Sequence, residues 1–334
     1  MAMRKAEMDS GSTSSAPIGF DEFEDMDYAY QRLGEIWEGV GKTTRYSTGL
    51  PLMDEYLGGG FGSEKLGEVV LIHAGSKTQK STLSMQLIKD SFEKGIKMGW
   101  AIVEGGVVRS LRNLKQLYCN EGYEKFDSTF QQNRTNIFQM SDSFINSSFS
   151  MNDVIVWMKN LRANHGVELF LIDPIGYLAD YSSGSNESNW QKESKFMKDL
   201  VQFADNTCST IICITHNVKD SQFKKYREEA IGGSQSFSKS PTKVIELRNE
   251  GYINDDPSQG MRMTMEMYMA RDVRCWKFVP LVFGIYNHPD KKGRLFYVPV
   301  FDSQEKANAT LSSSAGDAKI RTVWDGQIRS YESL

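Results

Sequence analysis

Five apolar runs divide the middle of the chain: Val69–Ile72, Met98–Val103, Leu169–Ile172, Thr210–Ile214 and Val244–Leu247. Each is continuous rather than alternating, the pattern of a strand covered on both faces. Helical periodicity fills several of the gaps, in Leu83–Phe92, Val154–Leu161 and Phe196–Phe203. Strands alternating with helices predict an α/β fold with a central, mainly parallel sheet flanked by helices. Asp180–Trp190 is rich in Ser, Gly and Asn and reads as a long polar loop. Further on, Met261, Met263, Met265, Met267 and Met269 occupy every second position. That period predicts one face of a strand. Leu295–Val300 reads as another strand.

The two ends of the chain lack this patterning. Residues from Met1 to about Asp27 are polar, then acidic, and read as a disordered arm. Tyr28–Val40 predicts a short helix with Leu33, Ile36 and Trp37 on one face. Gln304–Leu334 reads as a polar tail. The expected organisation is an arm over 1–45, an ATPase domain over 46–303 and a tail over 304–334.

With 334 residues the chain is long enough for one large α/β domain. Its formal net charge of -4 does not advertise nucleic-acid binding. It does not oppose it either, because a ring can be basic in its channel and acidic outside. Cys119, Cys208, Cys213 and Cys275 form no close pair, which points to a reducing compartment, the cytoplasm. His73, His165, His216 and His288 lack zinc-ligand spacing. No apolar run approaches membrane-spanning length, so no membrane partner is expected.

The chemistry begins where the run Val69–Ile72 ends. His73-Ala-Gly-Ser-Lys-Thr-Gln-Lys80-Ser81-Thr82 leads directly into the amphipathic Leu83–Phe92. A strand, a loop of small residues, then Lys-Ser opening a helix is the layout of a P-loop. Backbone N–H groups at a helix N-terminus face an anion there. Gly75, Ser76, Lys77, Thr78, Gln79, Lys80, Ser81 and Thr82 form the expected nucleotide cradle. Lys80 is placed to reach the terminal phosphates and Ser81 to ligate Mg²⁺. The match to G-x-x-x-x-G-K-[ST] is incomplete: Ala74 and Gln79 occupy the two glycine positions.

Phosphoryl transfer also needs a metal holder, a group that activates water, and positive charge at the transition state. Each has a candidate just after a predicted strand, where open α/β sheets bind ligands. Glu104 follows Met98–Val103 and is the candidate base. Asp173 follows Leu169–Ile172, the Walker B pattern, as the second metal-site residue. His216 follows Thr210–Thr215 as a candidate sensor of the terminal phosphate. Arg271 and Arg274 follow the methionine strand, and either could act across a subunit boundary as an arginine finger. Asn217–Gln235 carries Lys219, Lys224, Lys225 and Arg227 and then Gly232, Gly233 and Gln235. A flexible cationic loop of this kind suits a nucleic-acid backbone.

In this order, from Tyr46 to Asp302, these residues resemble the RecA-like core of hexameric replicative helicases. The similarity is nearest to phage primase-helicases and mitochondrial Twinkle, with DnaB more distant. Ser47-Thr-Gly-Leu-Pro-Leu-Met-Asp54 and Leu57-Gly-Gly-Gly60 look like the segment that precedes the family's P-loop. Gly99–Glu104, Leu171–Asp173 and Ile212–His216 look like its catalytic-glutamate, Walker B and phosphate-sensing strands. The resemblance implies that Arg248 packs near the nucleotide base, that Tyr286 contacts it, and that Arg274 is the finger. Asp272 stands where the family usually has a lysine.

The resemblance further implies ATP or another NTP with Mg²⁺, a homo-oligomer, a hexameric ring, and single-stranded DNA as partner. It also implies a separate primase, other replisome proteins, and a phage setting in bacterial host cytoplasm. Two other functions stay open. One is a RecA- or UvsX-like recombinase filament, since some phage recombinases share a loop without that glycine. The other is an inactive P-loop scaffold, suggested by Gln79 and Asp272.

Overall fold

The computed structural model describes residues 46–49, 51–57, 59–62, 67–75, 78–103, 106–118, 121–140, 150–175, 189–217, 239–252, 255–258, 260–270, 281–287 and 295–301. All of these belong to one unit, Thr43–Leu334. The strands are β1 Glu68–Ala74, β2 Met98–Ile102, β3 Ile137–Gln139, β4 Leu169–Asp173, β5 Thr210–His216, β6 Lys243–Tyr252, β7 Gly260–Ala270, β8 Leu281–Asn287 and β9 Leu295–Phe301. The helices are α1 Pro51–Tyr56, α2 Lys80–Glu93, α3 Gly106–Gln116, α4 Tyr123–Asn133, α5 Met151–His165 and α6 Asn189–Thr207. The helix α6 thus begins inside the expected polar loop over Asp180–Trp190.

The strands form one nine-stranded sheet in the order β3-β2-β4-β5-β1-β6-β7-β8-β9. Every pair from β3 to β6 is parallel, and the pairs from β6 to β9 are antiparallel. The continuous apolar runs are explained by their cover. Val70, Ile72, Trp100, Leu171, Ile212 and Ile245 point to one core, packed by Leu83, Leu87 and Phe92 of α2, Leu114 of α3 and Phe126 of α4. Val69, Leu71, Phe170, Ile172, Ile211 and Cys213 point to the other, packed by Val154 and Met158 of α5 and Met197 and Leu200 of α6. The helix α5 starts at a capping box in which Ser150 and Asp153 exchange hydrogen bonds.

The methionine ladder holds for four of its five members. Met263, Met265 and Met267 are buried in the first core with Met261 packed against it. Met269 packs against the second. The β6–β7 register steps from Ile245↔Met267 to Val244↔Met269, and this bulge reverses the facing of the strand.

At the amino ends of the parallel strands lies a wholly buried ion pair. Lys243 Nζ is 2.7 Å from Glu68 Oε1, with neither side chain exposed. Lys243 also donates to the Leu57 carbonyl, and the Gly62 N–H donates to Glu68 Oε2. These bonds fasten the 46–62 segment to the sheet. Within that segment Asp54 accepts from Ser47 and Thr48, and Tyr46 bridges Phe61. This tie sits at the sheet edge opposite the candidate site.

Candidate nucleotide site at the carboxyl edge of the sheet

The site assembles where the parallel strands end. Ala74 of β1 is in register with His216 of β5 and with Leu247 of β6, so Arg248 follows at the same edge. Ile102 of β2 is in register with Asp173 of β4. Separate stretches of sequence therefore converge on one rim, as open α/β sheets require for ligand binding.

After Ala74 the chain turns into α2 through Gln79, whose backbone is left-handed at φ 56° and ψ 31°. A side chain there is disfavoured by contact of Cβ with the following carbonyl, which is why glycine is the usual occupant of such a position. The Gln79 carbonyl accepts from Thr82 N and Leu83 N, starting the helix. The first-turn N–H groups of an α-helix have no partner within the helix, and they face this rim.

Lys80 is 7% exposed, and its ammonium is folded back onto the loop. Nζ donates to the carbonyls of Ala74 at 3.1 Å and Gly75 at 2.6 Å. The Thr78 hydroxyl also donates to Gly75 O. A Cβ placed on Gly75 would meet only Thr78 Cγ2, at 3.9 Å, so there is open space on that side of the loop.

Asp173 closes β4 and is nearly buried. Ser84 Oγ lies 3.2 Å from Asp173 Oδ2 and 3.0 Å from the Ser81 carbonyl. Ser84 thus pins the helix that begins Lys80-Ser81 against the Asp173 carboxylate. Ser81 itself is exposed on the first turn. The one sequence signal for Ser84 is its spacing, three residues after Ser81 on a helix.

One residue below the rim, a polar row runs across four strands. Thr215, His73, Glu246 and Glu266 stand in register and are all buried. His73 Nδ1 lies 2.8 Å from Asn217 Oδ1, and Asn217 N donates to the Ala74 carbonyl. The two facing carboxylates are bridged by Arg248, at 2.9 Å from Glu266 and 3.5 Å from Glu246, with Glu250 at 3.6 Å. Like charges in register repel, and the guanidinium between them offsets that repulsion. Arg248 is therefore engaged by its strand neighbours in this structure, a role distinct from the base contact implied by resemblance.

The backbone of Tyr286 lies opposite Gly260 across β7 and β8. Ser76, Lys77, Glu104, Lys219, Lys224, Lys225, Arg227, Gly232, Gly233, Gln235, Arg271, Asp272 and Arg274 lie outside the described residues. The chain leaves β2 beside Asp173, since Val103 N donates to the Asp173 carbonyl. Among the described residues no three His, Cys, Asp or Glu side chains cluster as a metal cage. The donor set of one hydroxyl and one nearby carboxylate fits Mg²⁺ carried with phosphates, which needs few protein ligands. Among the described residues no helix is long and apolar enough to cross a membrane.

No protein-family model matches the chain, and no curated protein matches it. Solved structures do. The ATPase domain of a DnaB-like helicase superposes with a TM-score of 0.60 at 15% identity, covering 83% of this chain and 100% of that one. A DnaB-like replicative helicase, described with its interactions with primase, gives 0.56 at 14% identity over 83% of this chain and 67% of that one. The RadB recombinase gives 0.51 at 18% identity over 76% and 99%. At these identities the likeness is one of fold: the chain has the RecA-like α/β core shared by DnaB-like helicase ATPase domains and RadB.

Proposed function

We propose that the chain is an ATP-dependent replicative DNA helicase, a ring-shaped translocase that moves on single-stranded DNA and unwinds duplex. The observation that carries this reading is the Ser84 bridge. It holds the helix opened by Lys80 and Ser81 against the Asp173 carboxylate, joining the two halves of a nucleotide–metal site. The helicase ATPase domains among the solved structures of like fold support it.

In this reading Lys80 binds the terminal phosphates, while Ser81, with Asp173 behind it, holds Mg²⁺. When bound, the metal neutralises charge on the phosphates. Glu104 accepts a proton from the attacking water as the new P–O bond forms and the bond to ADP breaks. His216, in register with the root of the P-loop, senses the terminal phosphate. Arg274 serves a neighbouring subunit's site, and Arg248 and Tyr286 flank the base. Lys219, Lys224, Lys225, Arg227, Gly232, Gly233 and Gln235 line the path of the DNA. Residues 46–303 form the motor, with 1–45 and 304–334 as arms, in a hexamer that works with a separate primase in a phage replisome in host cytoplasm.

A second reading, a recombinase filament, draws on the likeness to RadB over most of that chain. Electron microscopy on single-stranded DNA with a slowly hydrolysed ATP analogue separates the two. Closed rings and unwinding of a forked duplex are expected; helical filaments with strand exchange would favour the recombinase.

A further inference from the structure

The Lys80 ammonium is withdrawn onto the carbonyls of Ala74 and Gly75 and must leave both to reach a phosphate. Leaving has a cost that differs between the two. Gly75 is partly exposed, and water can replace the lysine there. Ala74 is fully buried, and a buried carbonyl left without a donor is strongly disfavoured. A second donor already stands at that carbonyl: Asn217 N, at 2.9 Å. Asn217 is in turn anchored through its side chain, whose Oδ1 accepts from Nδ1 of the buried His73 at 2.8 Å. His73 immediately precedes Ala74, so the contacts close a small ring on adjacent residues of β1.

We propose that Asn217 is a positioning residue for Lys80: it keeps the Ala74 carbonyl satisfied, so that the ammonium can exchange from its own loop to a phosphate. The inference rests on the reading of Lys80 as the phosphate-binding lysine. Asn217→Ala leaves the backbone N–H in place but removes its anchor. The Ala74 carbonyl then depends on Lys80, and release of the lysine becomes harder.

The test is calorimetric titration of the full chain with Mg-ATP, with thermal melting alongside. Wild type, Asn217→Ala, Lys80→Met and the double variant are compared. Asn217→Ala is expected to weaken Mg-ATP binding about fivefold, the factor of one net hydrogen bond. In the Lys80→Met background the same change is expected to have no further effect, because the exchanging group is gone. A merely structural role gives the same loss in both backgrounds, and that result overturns the proposal, as does wild-type affinity in Asn217→Ala. If Asn217→Ala does not fold, His73→Leu breaks the same bond from the other side and carries the same comparison. Absence of Mg-ATP binding by folded wild type at millimolar concentration removes both the nucleotide reading and this inference. Binding by wild type with no effect at Asn217 removes only the inference.

Discussion

The side-chain oxygen of Gln79 accepts a hydrogen bond from the Thr82 hydroxyl at 3.2 Å. This contact spans the first turn of α2 and accompanies a left-handed backbone that glycine would adopt without strain. The left-handed cost for an L-residue is about 1–2 kcal/mol. Glycine gives back part of that gain through unfolded-chain entropy. Gln79→Gly is therefore expected to stabilise the protein by about 0.5–1 kcal/mol. Gln79→Val, β-branched, is expected to destabilise it. Urea midpoints measure both, and a loss of stability in Gln79→Gly would show that the glutamine side chain holds the loop by more than its contact with Thr82.

The buried pair of Lys243 and Glu68 makes a second prediction. Removing one partner leaves an uncompensated charge where neither side chain is exposed. Lys243→Met is expected to cost about 3–5 kcal/mol in chemical denaturation. The double variant Glu68→Gln with Lys243→Met is expected to recover part of that loss, since the orphaned carboxylate is gone.

Glycines separate fold from site. A Cβ on Gly67 would sit 1.9 Å from the Ala204 carbonyl of α6, and that backbone cannot yield as a flexible side chain can. Gly67→Ala is expected to cost at least about 2 kcal/mol, at the upper side of overpacking effects. Gly75→Ala meets only a methyl at 3.9 Å and is expected to melt like wild type. Differential scanning calorimetry on the pair gives the comparison.

Tyr118 supplies a pH dependence. Burial pushes its phenol well above the ordinary tyrosine range, and the carboxylates of Glu93 and Glu121 push it further. The folded state therefore keeps a proton that the unfolded chain releases above about pH 10. Its contribution is fully present below that pH and is lost as pH rises beyond it. Stability is expected to fall on the alkaline side, and Tyr118→Phe is expected to flatten that fall. An unchanged alkaline slope in Tyr118→Phe would assign the effect elsewhere.

The strands that carry the site are legible in the sequence because parallel strands covered on both faces are continuously apolar. Val69–Ile72 and Leu169–Ile172 cannot be mistaken for surface. Asp173 and Lys80 are legible because their neighbours are so apolar that a charge at the end of the run marks the rim. The short β3 is not, since its three residues are only half-buried. The switch of Met269 to the other core depends on a bulge set by pairing with β6, a long-range relation with no local signature. The same holds for Glu246 and Glu266, which become neighbours only when β6 and β7 pair, and for Asn217, whose partners lie in β1. Ser84 is visible only as a helical spacing, because its importance lies in what it touches on another strand.

If the rim of this sheet hydrolyses ATP in response to DNA, one measurement shows it most directly. That measurement is steady-state ATP hydrolysis by the full chain with Mg²⁺, in the presence and absence of single-stranded DNA. Strong stimulation by DNA is expected, with turnover lost in Lys80→Met and Glu104→Gln and nucleotide still bound by the latter. No turnover by folded wild type in either condition would contradict the proposed function and leave the P-loop as a binding element alone.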